Sequence, residues 1–152
     1  MIIGRCAMKL FFRIIFKIFL ILTILAGCET NEQIKETDPV ALFNQGAALL
    51  EEDQYDRAIA YFSKVIEINP RADKIYFIRG VAYDKKGQYD KAISDYNKAI
   101  EINPRYAEAY NNRGVAYYHK ARHDIACSDW KRACELGFCE GYEWAKRKDV
   151  CQ

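Results

Sequence analysis

Proline and glycine are scarce in this sequence, at three and eight of 152 residues. That excludes a collagen-like or low-complexity chain. Histidine is scarcer, with only His119 and His123. They stand four apart, but the helix carrying the first should end near Lys120–Ala121. They therefore read as exposed turn residues, and no metal or cofactor is assigned. No G-x-S-x-G, H-E-x-x-H or phosphate-loop pattern occurs. Acidic side chains are many but fall on solvated faces, so no catalytic residue is assigned and the chain is not read as an enzyme. A strong charge of one sign is also missing. Net charge is +2, and residues 1–27 hold Arg5, Lys9, Arg13 and Lys17 with no acid. The remainder then has 19 basic side chains against 21 acidic, a net −2. No nucleic-acid partner is expected from that balance. The uncharged run Ile18–Ala26 falls short of the roughly 20 apolar residues of a comfortable membrane span.

What is present suffices for one folded domain. Hydrophobic residues make up 51% and charged residues 29%, which rules out wholesale disorder.

Residues 1–28 place basic side chains first, an apolar middle next and small residues last. This is the layout of a secretory signal, and it leaves the start at Met1 or Met8 open. Leu25-Ala26-Gly27-Cys28 resembles the lipobox of bacterial lipoproteins. The resemblance implies cleavage after residue 27, a lipid on the Cys28 thiol and a periplasm-facing anchor. Glu29 leans toward the outer membrane. Acyl chains contribute about 0.8 kcal/mol per buried methylene, so two or three would hold the protein firmly. Residues 28–38, polar after the cysteine, read as a lipidated N-terminus and tether.

A repeat organises the rest. Tyr55–Arg71 and Tyr89–Arg105 agree at eleven of 17 positions. At the same shift, Tyr76–Lys86 agrees with Tyr110–Lys120 at seven of 11. Each unit splits into two amphipathic patterns, for example Asp73–Lys86 and Tyr89–Ile102. Gly87 and Asn103-Pro104 supply the stops. These residues resemble the tetratricopeptide repeat, whose period of about 34 residues equals the shift. Its pattern runs through Leu42, Gly46, Leu49, Ala58, Phe62, Val65 and Pro70. It recurs through Tyr76, Gly80, Tyr83, Ala92, Tyr96, Ala99 and Pro104, then through Tyr110, Gly114, Tyr117, Ala126, Trp130 and Ala133. The resemblance implies an all-α, right-handed α-solenoid over 39–152. Its units fall at about 39–72, 73–106 and 107–138, and a capping helix occupies 139–151, patterned over Cys139–Val150.

Cys127, Cys134, Cys139 and Cys151 cluster at the C-terminal end. In an antiparallel helix pair turning near Leu136–Phe138, Cys134 faces Cys139 and Cys127 faces Cys151. Nested disulfides would fit an exported protein. Four cysteines allow three connectivities, and a four-thiolate metal site or free thiols stay as competing readings.

The same resemblance places the outward residues of each first helix on a concave, partner-binding surface. Here these are Phe43, Lys74, Phe77, Val81, Asp84, Glu108, Asn111, Val115 and Tyr118, beside Val40, Ala47 and Leu50. Chaperone-binding relatives place lysine and asparagine where this chain has Phe43, Phe77, Val81 and Val115, so a chaperone tail is not expected. The expected function is a membrane-anchored scaffold of the bacterial envelope that binds a protein or peptide segment. A metal- or thiol-active envelope protein built on the cysteine cluster is the alternative.

Overall fold

The structure is a computed structural model, and residues 37–151 of it are described. The expected signal, Cys28 and the tether up to residue 36 lie outside the described residues. The chain divides into two units at Asp38–Pro39, and the second holds the elements that follow. Among the described residues seven helices occur in order: α1 Pro39–Glu51, α2 Tyr55–Ile68, α3 Asp73–Lys85, α4 Tyr89–Ile102, α5 Ala107–His119, α6 His123–Glu135 and α7 Glu140–Arg147. No strand occurs among those residues. The fold is an all-helical α-solenoid of three helix pairs plus α7.

Sequence explains where the helices stop. At the end of α3, Gly87 N–H bonds to the Asp84 carbonyl and Gln88 N–H to that of Tyr83, at 2.8 and 2.9 Å. That pair of bonds satisfies carbonyls that have no intrahelical donor. The motif needs one left-handed residue. Gly87 (φ 70°) provides it in the second unit, Asp53 (58°) and Ala121 (57°) at the same register in the first and third. The second helices α2 and α4 end instead at Asn69-Pro70 and Asn103-Pro104. Asn103 Nδ2 then donates to Asp73 at 3.0 Å, tying the end of α4 to the start of α3.

Within each pair a glycine meets a ring. A Cβ added at Gly46 or Gly80 would lie 2.7 Å from Phe62 or Tyr96, and one at Gly114 would lie 2.8 Å from Trp130. Those three rings, each one period from the next, are the largest fully buried side chains with Leu42. Ala58, Ala92 and Ala126 are fully buried beside them. Close helix approach therefore depends on small residues facing large ones.

Charged groups join the units. Arg79 and Arg113 fork onto the buried carboxylates of Asp95 and Asp129 within their own units. Each also reaches back to the preceding unit, Arg79 to Ser63 at 2.9 Å and Arg113 to Asn97 at 2.6 Å. Lys86 pairs with Asp56 and Lys120 with Asp90, repeating the same link on the exposed edge.

The cap differs from the sequence expectation. Its helix covers Glu140–Arg147 rather than Cys139–Val150. The reason is local: Asp149 takes φ 54°, and Val150 N–H bonds to the Ala145 carbonyl, so the chain turns back. That turn buries Cys151, which forms a disulfide with Cys127; Cys134 forms one with Cys139. Trp144 stands one full period after Tyr110, in the register of a fourth first helix.

Candidate binding face

The first helices line one side of the array. α3 touches α5 and α5 touches α7, whereas the second helices approach one another less closely. A curved stack brings its inner elements together, so the face of α1, α3, α5 and α7 is the concave one.

The residues expected there divide into three groups. Lys74 and Glu108 are exposed. Phe43, Phe77 and Val81 are half-buried and serve packing as well. The Phe43 ring lies 6.2 Å from that of Phe62. Phe77 lies 5.9 Å from Tyr96 and 4.9 Å from Tyr106, in the wedge between the second and third units. Val81 rests on the Ala92–Tyr96 core, and Leu50 packs on the first-unit core. Burial pushes the Tyr106 phenol up to about 12, with help from Glu108 and Asp73. Asp84 is also half-buried, and its Oδ1 has no hydrogen-bond partner among the described residues. Burial holds its carboxyl above the usual carboxylate range, against the opposing pull of His119 and Lys85.

Asn111, Val115 and Tyr118 form the third group, and they converge on a cleft. It has a volume of about 420 Å³ and lies between α5, α6 and α7. Trp130 and Trp144 complete its aromatic wall, and Glu140, Gly141, His119 and Arg147 its rim. Tyr118 is the hub: its ring lies 5.9 Å from Trp130 and 5.4 Å, edge-on, from Trp144. At one end, Asn111 Oδ1 is sealed beneath Gly141, where a Cβ would come within 2.3 Å, and it accepts no hydrogen bond from any described residue. Trp130 Nε1 donates to the Asn111 carbonyl at 3.2 Å.

Sequence reasoning missed Trp130, Glu140, Trp144 and Arg147 as parts of this face. The signal was present, because Trp144 and Arg147 continue the registers of Tyr110 and Arg113. The histidines lie where their sequence neighbours put them, exposed at the end of α5 and the start of α6. His119 stacks on Tyr89 at 4.9 Å, and His123 lies 5.0 Å from Tyr118. No group of three or more metal-ligating side chains occurs among the described residues.

Family models described as tetratricopeptide repeat match residues 39–71 and 61–94, and one described as TPR repeat matches 80–120. The chain carries tetratricopeptide repeats. Solved structures agree with that fold. The Sgt2 TPR domain from Aspergillus fumigatus is 25% identical, with a TM-score of 0.68, over 73% of this chain and 78% of that one. The first TPR of Spaghetti (RPAP3), solved with an HSP90 peptide, is 24% identical, with a TM-score of 0.69, over 76% and 91%. MamA is 33% identical, with a TM-score of 0.64; the match spans 74% of this chain and 58% of that one. No curated protein sequence matches the chain.

Proposed function

We propose that this tetratricopeptide-repeat protein is a lipid-anchored interaction module of the bacterial envelope. It holds a segment of another protein on the face formed by α1, α3, α5 and α7. The observation that carries the reading is that face itself. Many of its residues are half-buried, no helix among the described residues covers it, and it includes a preformed aromatic cleft. A repeat of this fold can hold a peptide, as the RPAP3 structure illustrates. Two features favour an exported, anchored protein. One is Cys28 behind Leu25-Ala26-Gly27. The other is the pairing of all four C-terminal cysteines into disulfides, which persist in oxidising compartments. That pairing also supports a binding module over a thiol- or metal-active protein. Among the described residues no helix is long and apolar enough to cross a membrane, and the reading assigns attachment to the Cys28 lipid. Glu29 favours the outer membrane.

A photo-crosslinking amino acid at Val81, with a matched control at Lys98 on α4, tests the face in cells. A protein adduct is expected from position 81 and not from 98; adducts from 98 alone would remove the reading. Palmitate labelling that persists in Cys28→Ser would remove the anchor. Folded Phe77→Ala/Asn111→Ala should bind the captured partner at least about tenfold more weakly.

A further inference from the structure

The cleft between α5, α6 and α7 has a chemistry that the rest of the face lacks. Its middle is aromatic: Tyr118, Trp130 and Trp144 meet one another at 5.4 to 5.9 Å. Its two ends differ in sign. Glu140 and Arg147 are two turns apart along the same side of α7, and both line the cleft. The Glu140 end also holds the buried Asn111 oxygen that accepts no hydrogen bond from any described residue. That end is unfavourable for another acceptor or anion. At the opposite end Arg147 is exposed, and its guanidinium makes no hydrogen bond or ion pair with any described residue; His119 also lines the cleft.

The molecule itself shows what a guanidinium in this register takes. Arg79, Arg113 and Arg147 stand one repeat period apart. The first two each hold a carboxylate through two nitrogens, at 2.6 to 2.8 Å. Guanidinium and carboxylate match in such a fork, which adds direction to the charge attraction. Arg147 has the same chemistry and no carboxylate among the described residues.

We propose that this cleft seats a partner segment in which a large apolar side chain lies next to an aspartate or glutamate. The apolar group packs against the wall that the touching rings of Tyr118 and Trp144 form, and the carboxylate forks onto Arg147. The Glu140 end fixes the direction by repelling the reverse arrangement. A cleft of about 420 Å³ is at the small end for binding pockets, which run from about 300 to 1,000 Å³, and suits one anchored side chain with its neighbour. The inference rests on the interaction-module reading and names the sequence that such a module selects.

The protein carries its own reporter, because its only two tryptophans, Trp130 and Trp144, both line this cleft. The test pans the full, oxidised chain in detergent against a displayed library of random dodecapeptides. The enriched sequences are then titrated as synthetic peptides by tryptophan emission. Enrichment of an aromatic or leucine residue beside an acid is expected, with saturable emission change. Replacing the peptide's acid by lysine should weaken binding at least tenfold. Arg147→Glu should invert that preference, and Arg147→Lys should retain part of it. Arg147 is exposed at the last turn of α7, so both variants keep the fold, which circular dichroism checks. Enrichment of basic peptides, no enrichment, or an acid preference unchanged in Arg147→Glu would each overturn the proposal. If position 81 still captures a partner in cells while Arg147→Glu changes nothing, the module stands and this site falls. If the peptides bind as expected but position 81 captures nothing, the cellular role falls and the site stands.

Discussion

Arg79 grips both carboxylate oxygens of Asp95, through Nε and Nη2, each at 2.8 Å. Its remaining nitrogen holds Ser63 of the unit before. The Asp95 side chain is only 7% exposed and that of Arg79 18%, so the pair is costly to break from one side. Arg79→Met strands a buried carboxylate and should destabilise the domain by about 3 kcal/mol. Arg79→Met with Asp95→Leu removes both charges and should recover most of that loss. Urea unfolding of the two single variants and the double closes the cycle; a loss in the double equal to the sum of the two single losses would show that the fork does not matter.

The left-handed residue that ends each first helix gives a second prediction. Gly87 occupies it in the second unit at φ 70°, with nothing within 4 Å of an added Cβ, while alanine occupies it at Ala121 in the third. Gly87→Ala should cost about 1 kcal/mol through conformation alone. Ala121→Gly should stabilise by about 0.5 kcal/mol, part of the gain being offset by the freer unfolded chain. Gly80→Ala is a different case. It drives a methyl into Tyr96 and should cost about 2 kcal/mol by overpacking. Melting temperatures should rank Ala121→Gly above the parent, then Gly87→Ala, then Gly80→Ala.

The disulfides act on the last quarter of the chain. The Cys127–Cys151 bridge has a sequence separation of 24, and closing such a loop stabilises by roughly 3.5 kcal/mol in the chain-entropy model. A helix as short as α7 is marginal in water by itself. Reduction should therefore raise hydrogen exchange over 140–151 by orders of magnitude while leaving 39–105 protected. Uniform loss of protection along the chain would contradict a local role.

Asp84 supplies a pH test. Burial raises its carboxyl above the usual range, so the folded protein binds this proton more tightly than the unfolded chain does. Stability then falls as pH rises from about 3.9, the ordinary carboxyl value, through the folded value. Asp84→Asn removes that penalty. The variant should exceed the parent in denaturant midpoint at pH 7 and approach it near pH 3. A constant offset across that range would assign the effect to something other than ionisation.

The repeat period was readable because glycine, alanine and ring recur in phase, and steric fit demands that combination wherever two helices touch closely. Helix limits followed from their stops: Tyr89–Ile102 was expected and is observed, since Asn103-Pro104 leaves no choice. The Arg79–Asp95 fork was not read, although both members recur at Arg113 and Asp129. Its partners lie on two antiparallel helices, beyond any spacing rule for a single helix. Phe43 and Phe77 were read as groove residues, and their half-buried rings also pack inward, Phe43 on Phe62 of its own unit and Phe77 in the wedge beside Tyr106, because one aromatic side chain is long enough to serve both surfaces. α7 was legible as a cap but not as a wall of the cleft. That role depends on the turn at Asp149 and on the bridge to Cys127, which only the folded arrangement brings together.

The joint between the first and second units follows the same plan as the joint between the second and third, with Asn97 standing where the first has Ser63. Lys86 with Asp56 matches Lys120 with Asp90, and Arg79 with Ser63 matches Arg113 with Asn97. A joint that does not depend on its place in the array can be duplicated. A second copy of residues 73–106, spliced after Tyr106, would form its new joint on the same plan, its arginine facing Asn97 as Arg113 does. The two disulfides, confined to 127–151, would be unaffected. The protein is thus a ruler with one movable graduation, and its reach along a partner can be lengthened by a single unit without redesigning either end.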